Sequence, residues 1–456
     1  MSKIIVKDVL NVTNGKLICG NLEDTCEMYE RDSRIIKKGQ VYVAVKGETN
    51  DGNDYVECAI KNGAKTCLVS CDISEKIRDK NILDKVKNNE VNIIRVEDTI
   101  KALQEIAKYK RSLFDIPVIA VTGSVGKTST KDIIASVMSQ KFKTYKTQGN
   151  LNNHIGLPIT ILSLRDEEAL VIEMGMNHLG EIRELTQIAK PTLAVITNIG
   201  TAHIGNLGSR ENILKAKLEI LEGLIGNTVI INNDNDLLSD WASKEVNYKI
   251  ITYGINNENS DYVAKNINAF EDKSVYDLNG EEITVPIGGE HFVLNSLCAI
   301  AVGKYYDIPM ENIKHGIATF ELSKSRMEIN KISNGAVLIN DCYNANYDSM
   351  KAAIKYLETI QNKRKIAVLG DMLELAEYSQ KLHEDVGKEI KDIDILITVG
   401  KEAKNISKYA KVKEVLEFEK NEDVIKKLKE IITPNDVILL KASNSMNFAE
   451  INDNLK

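Results

Sequence analysis

The chain is predicted to fold as an α/β protein with three domains. Its 456 residues are too many for one hydrophobic core, since cores divide above ~250–300 residues. Near-continuous apolar segments alternate with helical patterns, which indicates parallel sheets covered by helices on both faces. These segments form two series, one in the middle of the chain and one near its end. The predicted domains are residues 1–112, small and mixed α/β; residues 113–322, a parallel-sheet phosphate-loop domain; and residues 323–456, Rossmann-like.

The first domain is predicted from short segments that precede a longer helix. Strands are expected within 40–47, 65–70 and 91–98, with glycines and Asn-Asp-Gly (50–52) as turns. Helical periodicity over 99–113 predicts a connection to the next domain.

The two later domains are predicted from longer apolar strands. The central series lies at 116–123, 169–175, 193–200, 227–234 and 248–254. The last series lies at 336–341, 365–372, 394–400 and 436–443, with helices expected over 348–360 and 422–432.

Composition and charge exclude several classes of protein. The chain is 43% hydrophobic and 27% charged, as globular proteins are. Its net charge of −7 gives no indication of nucleic-acid binding. No apolar run reaches the ~18 residues of a membrane helix, and the first residues lack a signal-peptide pattern. We therefore expect a cytoplasmic protein without membrane insertion, in which the seven cysteines are reduced.

The segment VTGSVGKTSTK (121–131) is typical of a loop that binds phosphates. It follows a buried strand and precedes a helix, so backbone N–H groups and the helix N-terminus would attract a polyphosphate. Lys127 would reach the β- and γ-phosphates, and Thr128 would ligate Mg²⁺. The general pattern has another glycine where this chain has Val121, and the loop alone does not distinguish ATPase, GTPase, kinase and ligase. The predicted nucleotide-binding residues here are Thr122, Gly123, Ser124, Val125, Gly126, Lys127, Thr128 and Ser129.

Polar residues follow neighbouring central strands where ligands bind in such sheets. Glu173 ends one strand and is a candidate Mg²⁺ ligand. Asn198 and His203 follow the next strand and would reach the same crevice, although a lone histidine is equally consistent with a structural role. Lys217 lies in a helical segment rich in Lys and Glu, and its local pattern favours a solvated helix face.

These segments and several others resemble the Mur ligase family. The resemblance covers nearly the whole chain. It rests on TGSVGKTSTK (122–131), TQGNLNNHIGLP (147–158), EMGMNHLGEI (173–182), TNIGTAHI (197–204), GEHFVLNSLCAIAV (289–302), DCYNANYDSM (341–350) and VLGDMLEL (368–375), and on RDSRIIKKGQVYVAVKGETNDG (31–52).

The resemblance implies an ATP-dependent amide ligase of peptidoglycan precursor synthesis. Family members use an N-terminal domain for a UDP-sugar, a central ATPase domain and a C-terminal domain for the amino component. ATP phosphorylates a peptide carboxylate, and an amine attacks the acyl phosphate. The motifs are similar to those of the branch that joins D-Ala-D-Ala to UDP-N-acetylmuramoyl-tripeptide, so these two molecules and ATP are the expected partners of an expected monomer.

The resemblance also implies roles for single residues. Thr128 and Glu173 match a first Mg²⁺ site, and His203 matches a second. Lys217 matches a position that is often carbamylated to N6-carboxylysine and then ligates the second ion. Lys127, His203, Lys217 and Arg326 are the expected catalytic residues, and Arg326 would reach the ATP phosphates on domain closure.

Other matched residues concern the nucleotide and the substrates. Asn295 and His291 match adenine contacts, and Asp341 matches a ribose contact. The residues expected at the substrates are Ser33, Arg34, Lys46, Thr147, Asn150, Asn152, Asn153, Tyr343, Asn344, Asn346 and Ser443.

The chain departs from the family pattern near its end. The usual K-G-S-R is Lys441-Ala442-Ser443-Asn444 here, which removes a flexible glycine and an arginine fork and bears on the amino substrate. Ser325 replaces a glycine, Tyr347 a proline and Phe292 an asparagine. Two alternatives stay open: a sister ligase for one amino acid, another D-dipeptide or a depsipeptide, and a nucleotide-binding regulator with weak or absent ligase activity.

Overall fold

The computed structural model describes residues 3–244 and 246–456. Their strands form four sheets, of five, seven, three and six strands in chain order. The largest apolar core surrounds the seven-stranded sheet and continues into the units on either side, and smaller cores belong to the five- and six-stranded sheets. The predicted α/β fold is confirmed. No helix within the described residues is long and apolar enough to cross a membrane.

The N-terminal unit is a mixed five-stranded sheet in the order β1-β5-β4-β3-β2, with β1 antiparallel to β5. Asp98 caps the connecting helix α4 by accepting hydrogen bonds from the backbone N–H groups of Ile100 and Lys101. The strands are β1 Lys16–Cys19, β2 Tyr29–Glu30, β3 Val41–Val43, β4 Thr66–Val69 and β5 Asn92–Arg95, and the helices are α1 Val6–Thr13, α2 Val56–Lys61, α3 Lys80–Lys87 and α4 Thr99–Ser112.

The central unit is an all-parallel sheet in the order β12-β11-β10-β9-β6-β8-β7. Strands β6, β8, β9 and β10 are buried along their whole length, which explains their continuous apolar sequences. The strands are β6 Val118–Thr122, β7 Thr144–Lys146, β8 Ala169–Glu173, β9 Leu193–Ile196, β10 Thr228–Asn232, β11 Lys249–Gly254 and β12 Tyr262–Val263. The helices are α5 Lys127–Met138, α6 Gly156–Leu162, α7 Glu181–Ala189, α8 Ile204–Leu207, α9 Arg210–Leu218, α10 Asp236–Ala242, α11 Glu290–Tyr305 and α12 Met310–Ala318.

A three-stranded antiparallel sheet follows, which was not among the predicted elements. Its strands are β13 Lys265–Ala269, β14 Ser274–Leu278 and β15 Glu281–Val285. Asn279 and Gly280 join β14 to β15 with positive φ angles of 54° and 85°. Asn-Gly between alternating residues is a strong signal for such a hairpin, so the sequence contained the information.

The C-terminal unit is a six-stranded sheet in the order β16-β17-β21-β18-β19-β20, parallel except for the edge strand β16. The strands are β16 Glu328–Lys331, β17 Val337–Asn340, β18 Arg364–Gly370, β19 Ile395–Val399, β20 Glu414–Phe418 and β21 Asp436–Lys441. The helices are α13 Tyr347–Thr359, α14 Ser379–Glu389, α15 Lys404–Tyr409, α16 Asn421–Ile431 and α17 Ala449–Leu455.

Candidate active site

A cleft of about 390 Å³ opens at the carboxyl ends of the central strands, between the central and C-terminal units. Strands β9, β6 and β8 are neighbours in the sheet, so the segments that follow them meet there. Of the predicted site residues, those that line the cleft are Ser124, Val125, Gly126, Lys127, Thr128, Ser129, Asn152, Asn153, Glu173, His203, His291, Asn295, Arg326, Asp341, Tyr343, Asn344 and Asn346.

Two glycines let the phosphate loop approach its neighbours closely. Gly123 has a φ of 150°, and a Cβ there would lie 2.0 Å from the Thr197 hydroxyl oxygen. Gly126 has a φ of 79° at the start of α5, and its Cβ would lie 3.1 Å from Oδ1 of Asn295. A side chain at position 123 is therefore excluded by both space and backbone conformation.

Asn198 holds the loop from the next strand end. Its Oδ1 accepts hydrogen bonds from the backbone N–H groups of Ser124, at 3.1 Å, and Val125, at 2.8 Å. Thr122 lies beneath the loop, where its hydroxyl donates to the Met174 carbonyl. A phosphate that entered this loop would compete with the Asn198 amide oxygen for the two N–H groups.

Lys127 stands at the N-terminus of α5 with its ammonium folded back on the loop. Its Nζ donates to the carbonyl oxygen of Gly123 at 3.0 Å. Burial lowers the pKa of Lys127, and the nearby carboxylate of Glu173 opposes that shift. The Thr128 hydroxyl is almost buried and lies 3.4 Å from a guanidinium nitrogen of Arg326, which belongs to the C-terminal unit.

Glu173 is a buried carboxylate with one free oxygen. Its side chain is 2% exposed, and its Oε1 accepts a hydrogen bond of 2.8 Å from the Asn152 amide. Its Oε2 is buried and finds no partner among the described residues. An ionised oxygen in that position is unfavourable unless a cation approaches it, so Glu173 fits a Mg²⁺ ligand.

Of the four residues expected to bind the muramoyl nucleotide, Asn152 and Asn153 line the cleft, whereas Thr147 and Asn150 do not. Thr147 is fully buried, and its hydroxyl accepts a hydrogen bond of 3.0 Å from the backbone N–H of Glu173. Thr147 and Asn152 therefore hold Glu173 in this structure, and Thr147 offers no surface to a ligand. Asn153 lines the cleft, and its Oδ1 accepts a hydrogen bond from the backbone N–H of Gly156, whereas Asn150 is exposed outside the cleft.

Lys217 is buried, whereas its local sequence pattern predicted a solvated position. Its side chain is 1% exposed, and Nζ has no hydrogen-bond partner within the described part of the chain. Burial and the nearby Lys127 ammonium lower the pKa of Lys217 well below its usual value. The prediction of a solvated face was wrong because α9 packs against α7 and the 3₁₀ turn Glu219–Gly223, while Lys215 stays exposed.

His203 has a φ of 62° and faces the cleft. Its Nδ1 lies 2.7 Å from a carboxylate oxygen of Glu374, which comes from the C-terminal unit. Glu374 was not among the predicted site residues, although it lies in the VLGDMLEL segment just beyond the end of β18.

The C-terminal unit forms the opposite wall. The Arg326 guanidinium lies over the Tyr343 ring, 4.0 Å from the ring centroid. The Asp341 carboxylate lies 2.5 Å from Nζ of Lys441, which is 1% exposed. Lys441 was missed as a site residue, although a charged residue at the end of a buried strand is the signal that identified Glu173.

The wall nearest α11 contains the residues expected at adenine. Oδ1 of Asn295 accepts a hydrogen bond of 3.0 Å from the Thr130 hydroxyl. Burial lowers the pKa of His291 to about 4, so its imidazole is neutral at pH 7. Asn346 caps α13 through a hydrogen bond from the Ser349 backbone.

Besides Thr147 and Asn150, four more predicted substrate residues lie away from the cleft. Ser33, Arg34 and Lys46 belong to the N-terminal unit. There the Arg34 guanidinium donates two hydrogen bonds to the Asp32 carboxylate, which lower the pKa of Asp32 to about 2. Ser443 is 4% exposed, and its hydroxyl accepts a hydrogen bond of 2.9 Å from the Leu373 backbone. Ser443 therefore supports the loop that carries Glu374.

The fold and the cleft define a nucleotide-binding α/β protein whose site is shared by two units. Three family models match: the Mur ligase family, catalytic domain, over 26–111, the Mur ligase middle domain over 121–303, and the Mur ligase, glutamate ligase domain, over 325–444.

Full-length relatives give the same result. The chain is 37% identical to UDP-N-acetylmuramoyl-tripeptide--D-alanyl-D-alanine ligase of Bacillus subtilis (strain 168), over 99% of this chain and 98% of the relative. It is 32% identical to the Escherichia coli (strain K12) protein of the same name, over 99% and 98%. The chain belongs to the Mur ligase family.

Solved structures share its three-domain fold, as the sequence predicted. A MurF structure from Acinetobacter baumannii matches with a TM-score of 0.88 and 28% identity, covering 100% of this chain and 99% of that one. MurF from Thermotoga maritima in complex with ADP matches with a TM-score of 0.78 and 28% identity, covering 94% and 97%.

Proposed function

We propose that the protein is an ATP-dependent ligase that joins D-Ala-D-Ala to UDP-N-acetylmuramoyl-tripeptide in peptidoglycan precursor synthesis. The observation that carries this proposal is the half-paired carboxylate of Glu173 beside a lysine-bearing phosphate loop. The names of the full-length relatives support the choice of substrates.

The reaction transfers the γ-phosphoryl group of ATP to the peptide carboxylate, which gives an acyl phosphate and ADP. The amine of D-Ala-D-Ala then attacks the acyl carbon, an amide bond forms, and phosphate leaves with the loss of a proton from the amine. Lys127 offsets the repulsion between the carboxylate and the γ-phosphate. Arg326 brings a second positive charge from the other wall. A site closed by two units excludes water, which protects the acyl phosphate from hydrolysis.

Magnesium fits the residues of the central wall. Within residues 3–244 and 246–456, His, Cys, Asp and Glu side chains do not gather in groups of three that would hold a metal unaided. Mg²⁺ needs few protein ligands, because phosphate oxygens and water complete its shell. Thr128 and Glu173 would hold a first ion, and His203 and Lys217 a second. Such ions would neutralise charge on the phosphate oxygens.

The units divide the substrates between them in this proposal. Residues 1–112 bind the UDP-sugar, with Ser33, Arg34 and Lys46 as contacts. Residues 113–322 bind ATP, and residues 323–456 bind the amino substrate. The protein acts in the cytoplasm as a monomer.

Lys217 is proposed to carry a carbamate. Its neutral amine would add to CO₂, forming an N–C bond and releasing one proton, and the product is an anion. The low pKa of Lys217 supports this step, because only an unprotonated amine reacts. A second ion would offset the repulsion between the carbamate and Glu173.

Lys217→Ala tests the carbamate, with Lys215→Ala on the same helix as the matched control. We expect Lys217→Ala to lose nearly all ligase activity and to recover part of it with millimolar formate or acetate. Carbon-13 NMR with labelled bicarbonate should give a carbamate signal in the unmodified protein and in Lys215→Ala. A missing signal together with wild-type activity of Lys217→Ala would exclude the modification.

The central experiment measures phosphate release with ATP, Mg²⁺ and UDP-N-acetylmuramoyl-tripeptide, with and without D-Ala-D-Ala, with mass detection of the product. Release that depends on D-Ala-D-Ala and yields the pentapeptide nucleotide supports the proposal. Turnover only with another amine would indicate a sister ligase, and Asn444 would be the first residue to exchange for arginine. ATP binding without turnover on any amine would favour a regulator.

A further inference from the structure

None of the proposed catalytic or binding residues lies in the VLGDMLEL segment (368–375), yet this segment reaches the cleft. It leaves β18 at Gly370 and crosses to the central unit. Glu374 has a φ of 64°, and its carbonyl oxygen accepts a hydrogen bond of 3.2 Å from the backbone N–H of Gly205. A positive φ at glutamate is unfavourable, so surrounding contacts must maintain this conformation.

The Glu374 side chain extends to His203. Its Oε2 lies 2.7 Å from Nδ1, which is buried. His203 also has a positive φ, of 62°, at the start of α8. Two strained backbone positions on different units therefore bring these side chains together.

Contacts from the C-terminal unit fix the loop that carries His203 on both sides. The Asp348 carboxylate accepts hydrogen bonds from the Thr201 backbone, at 2.7 Å, and from its hydroxyl, at 2.9 Å. The Tyr378 hydroxyl donates to the carbonyl oxygen of Gly208 at 2.6 Å. A Cβ at Gly205 would lie 2.7 Å from the Glu374 carbonyl oxygen, so the two segments are in tight contact.

We propose that Glu374 is a positioning residue for His203, supplied by the C-terminal unit. A histidine that ligates a metal through one ring nitrogen usually donates the N–H of the other to a carboxylate, which fixes the tautomer and the ring orientation. Glu374 occupies that place at Nδ1, which leaves Nε2 for a ligand in the cleft. The orientation of His203 is then complete only when the two units are closed as they are here. This inference rests on the ligand role proposed for His203.

The test compares Glu374→Gln with Glu377→Gln, which changes an exposed carboxylate three residues further along the chain, just after the VLGDMLEL segment. Each full-length variant is loaded with the ATP analogue AMPPNP, and Mn²⁺ binding is titrated by electron paramagnetic resonance. We expect roughly tenfold weaker Mn²⁺ binding at one of two sites in Glu374→Gln, the range found for carboxylates behind histidine ligands. Glu377→Gln should bind as the unmodified protein does.

A double-mutant cycle separates positioning from simple attachment of the two units. In a His203→Ala background, Glu374→Gln should cause no further loss of Mn²⁺ affinity, because the residue it orients is gone. An equal loss in both backgrounds would overturn the proposal and make Glu374 a domain contact only. Unchanged Mn²⁺ affinity in Glu374→Gln would also overturn it.

This measurement is independent of turnover. If no amine supports ligation, the proposed function fails while the Mn²⁺ cycle still decides the role of Glu374. If ligation occurs and the cycle shows no coupling, the function stands and the role of Glu374 fails.

Discussion

The carboxylates on the two walls of the cleft differ in whether their oxygens have contact partners. On the central wall, Glu173 keeps one oxygen free of partners within the described residues. On the C-terminal wall, Asp341 contacts Lys441, Asp348 contacts Thr201, and Glu374 contacts His203. The central wall therefore leaves charge available to ligands, whereas the C-terminal wall uses its charge to hold the site together.

The central wall should be the more sensitive to loss of charge. Lys127→Ala is expected to lower ligase turnover by about 10³-fold, the upper range for removing one group that stabilises developing charge. Phosphate release measures this, with Lys215→Ala as the control. Near-normal turnover of Lys127→Ala would remove the phosphate loop from the mechanism.

The C-terminal wall should be sensitive to geometry even when charge is kept. Arg326→Lys retains a positive charge but loses the planar fork that stacks on Tyr343 and reaches Thr128. We expect turnover to fall roughly 10²-fold, as for a misplaced catalytic group, while AMPPNP still binds. A variant with full activity would show that only the charge matters and that the walls are alike in this respect.

Acid should loosen the C-terminal wall through His383. Its Nε2 accepts a hydrogen bond of 2.9 Å from the Met372 backbone, and its Nδ1 lies 2.7 Å from the Ser379 carbonyl oxygen. This pattern requires a neutral ring, and burial lowers the pKa of His383. The unfolded chain thus takes up a proton near pH 6.5 that the folded chain refuses, so stability falls as pH drops below that value.

Urea denaturation at pH 7.5 and 5.0 measures the effect. We expect the unmodified protein to lose stability through this group between the two pH values, and His383→Gln to lose less. His315→Gln, at an exposed position, should behave as the unmodified protein does. A pH dependence that His383→Gln leaves intact would place the acid-sensitive group elsewhere, with His291 as the next candidate.

The smallest effect concerns two glycines of the family pattern. Ser325 has a φ of 58°, which disfavours side chains, whereas Ala442 has no positive φ. Ser325→Gly should therefore stabilise the protein by about 0.5–1 kcal/mol, and Ala442→Gly should destabilise it by a similar amount. Urea midpoints measure both. Equal effects of the same sign would contradict the assignment of strain to position 325 alone.

Ala442 also revises one expectation from the sequence. The loss of a flexible glycine there was expected to matter, but Ala442 has no positive φ that would require glycine. The absent arginine at Asn444 remains the departure that bears on the amino substrate. The sequence shows a departure from the family glycine at both Ser325 and Ala442. Only the backbone angles show which of these two departures has a conformational cost.

Much of the candidate site was predictable because it depends on short segments. The phosphate loop and Glu173 are fixed by a strand, a turn and a helix that adjoin in sequence, so apolar patterning and glycines were enough to locate them. The Asn279-Gly280 hairpin was equally local and was overlooked. Thr147 was assigned to a ligand because sequence does not show that its hydroxyl turns inward to the Glu173 backbone.

The sequence alone determined the α/β class, the buried parallel strands, the phosphate loop and the family, because each is set by local periodicity or by residues close together in the chain. The tertiary structure decided which charged groups are buried and what they contact. Lys217 is buried because α7 covers one face of α9. Glu374 contacts His203, which lies 171 positions earlier in the chain, because their two units close on one cleft. Desolvation and contacts between distant segments depend on packing, which no local pattern records.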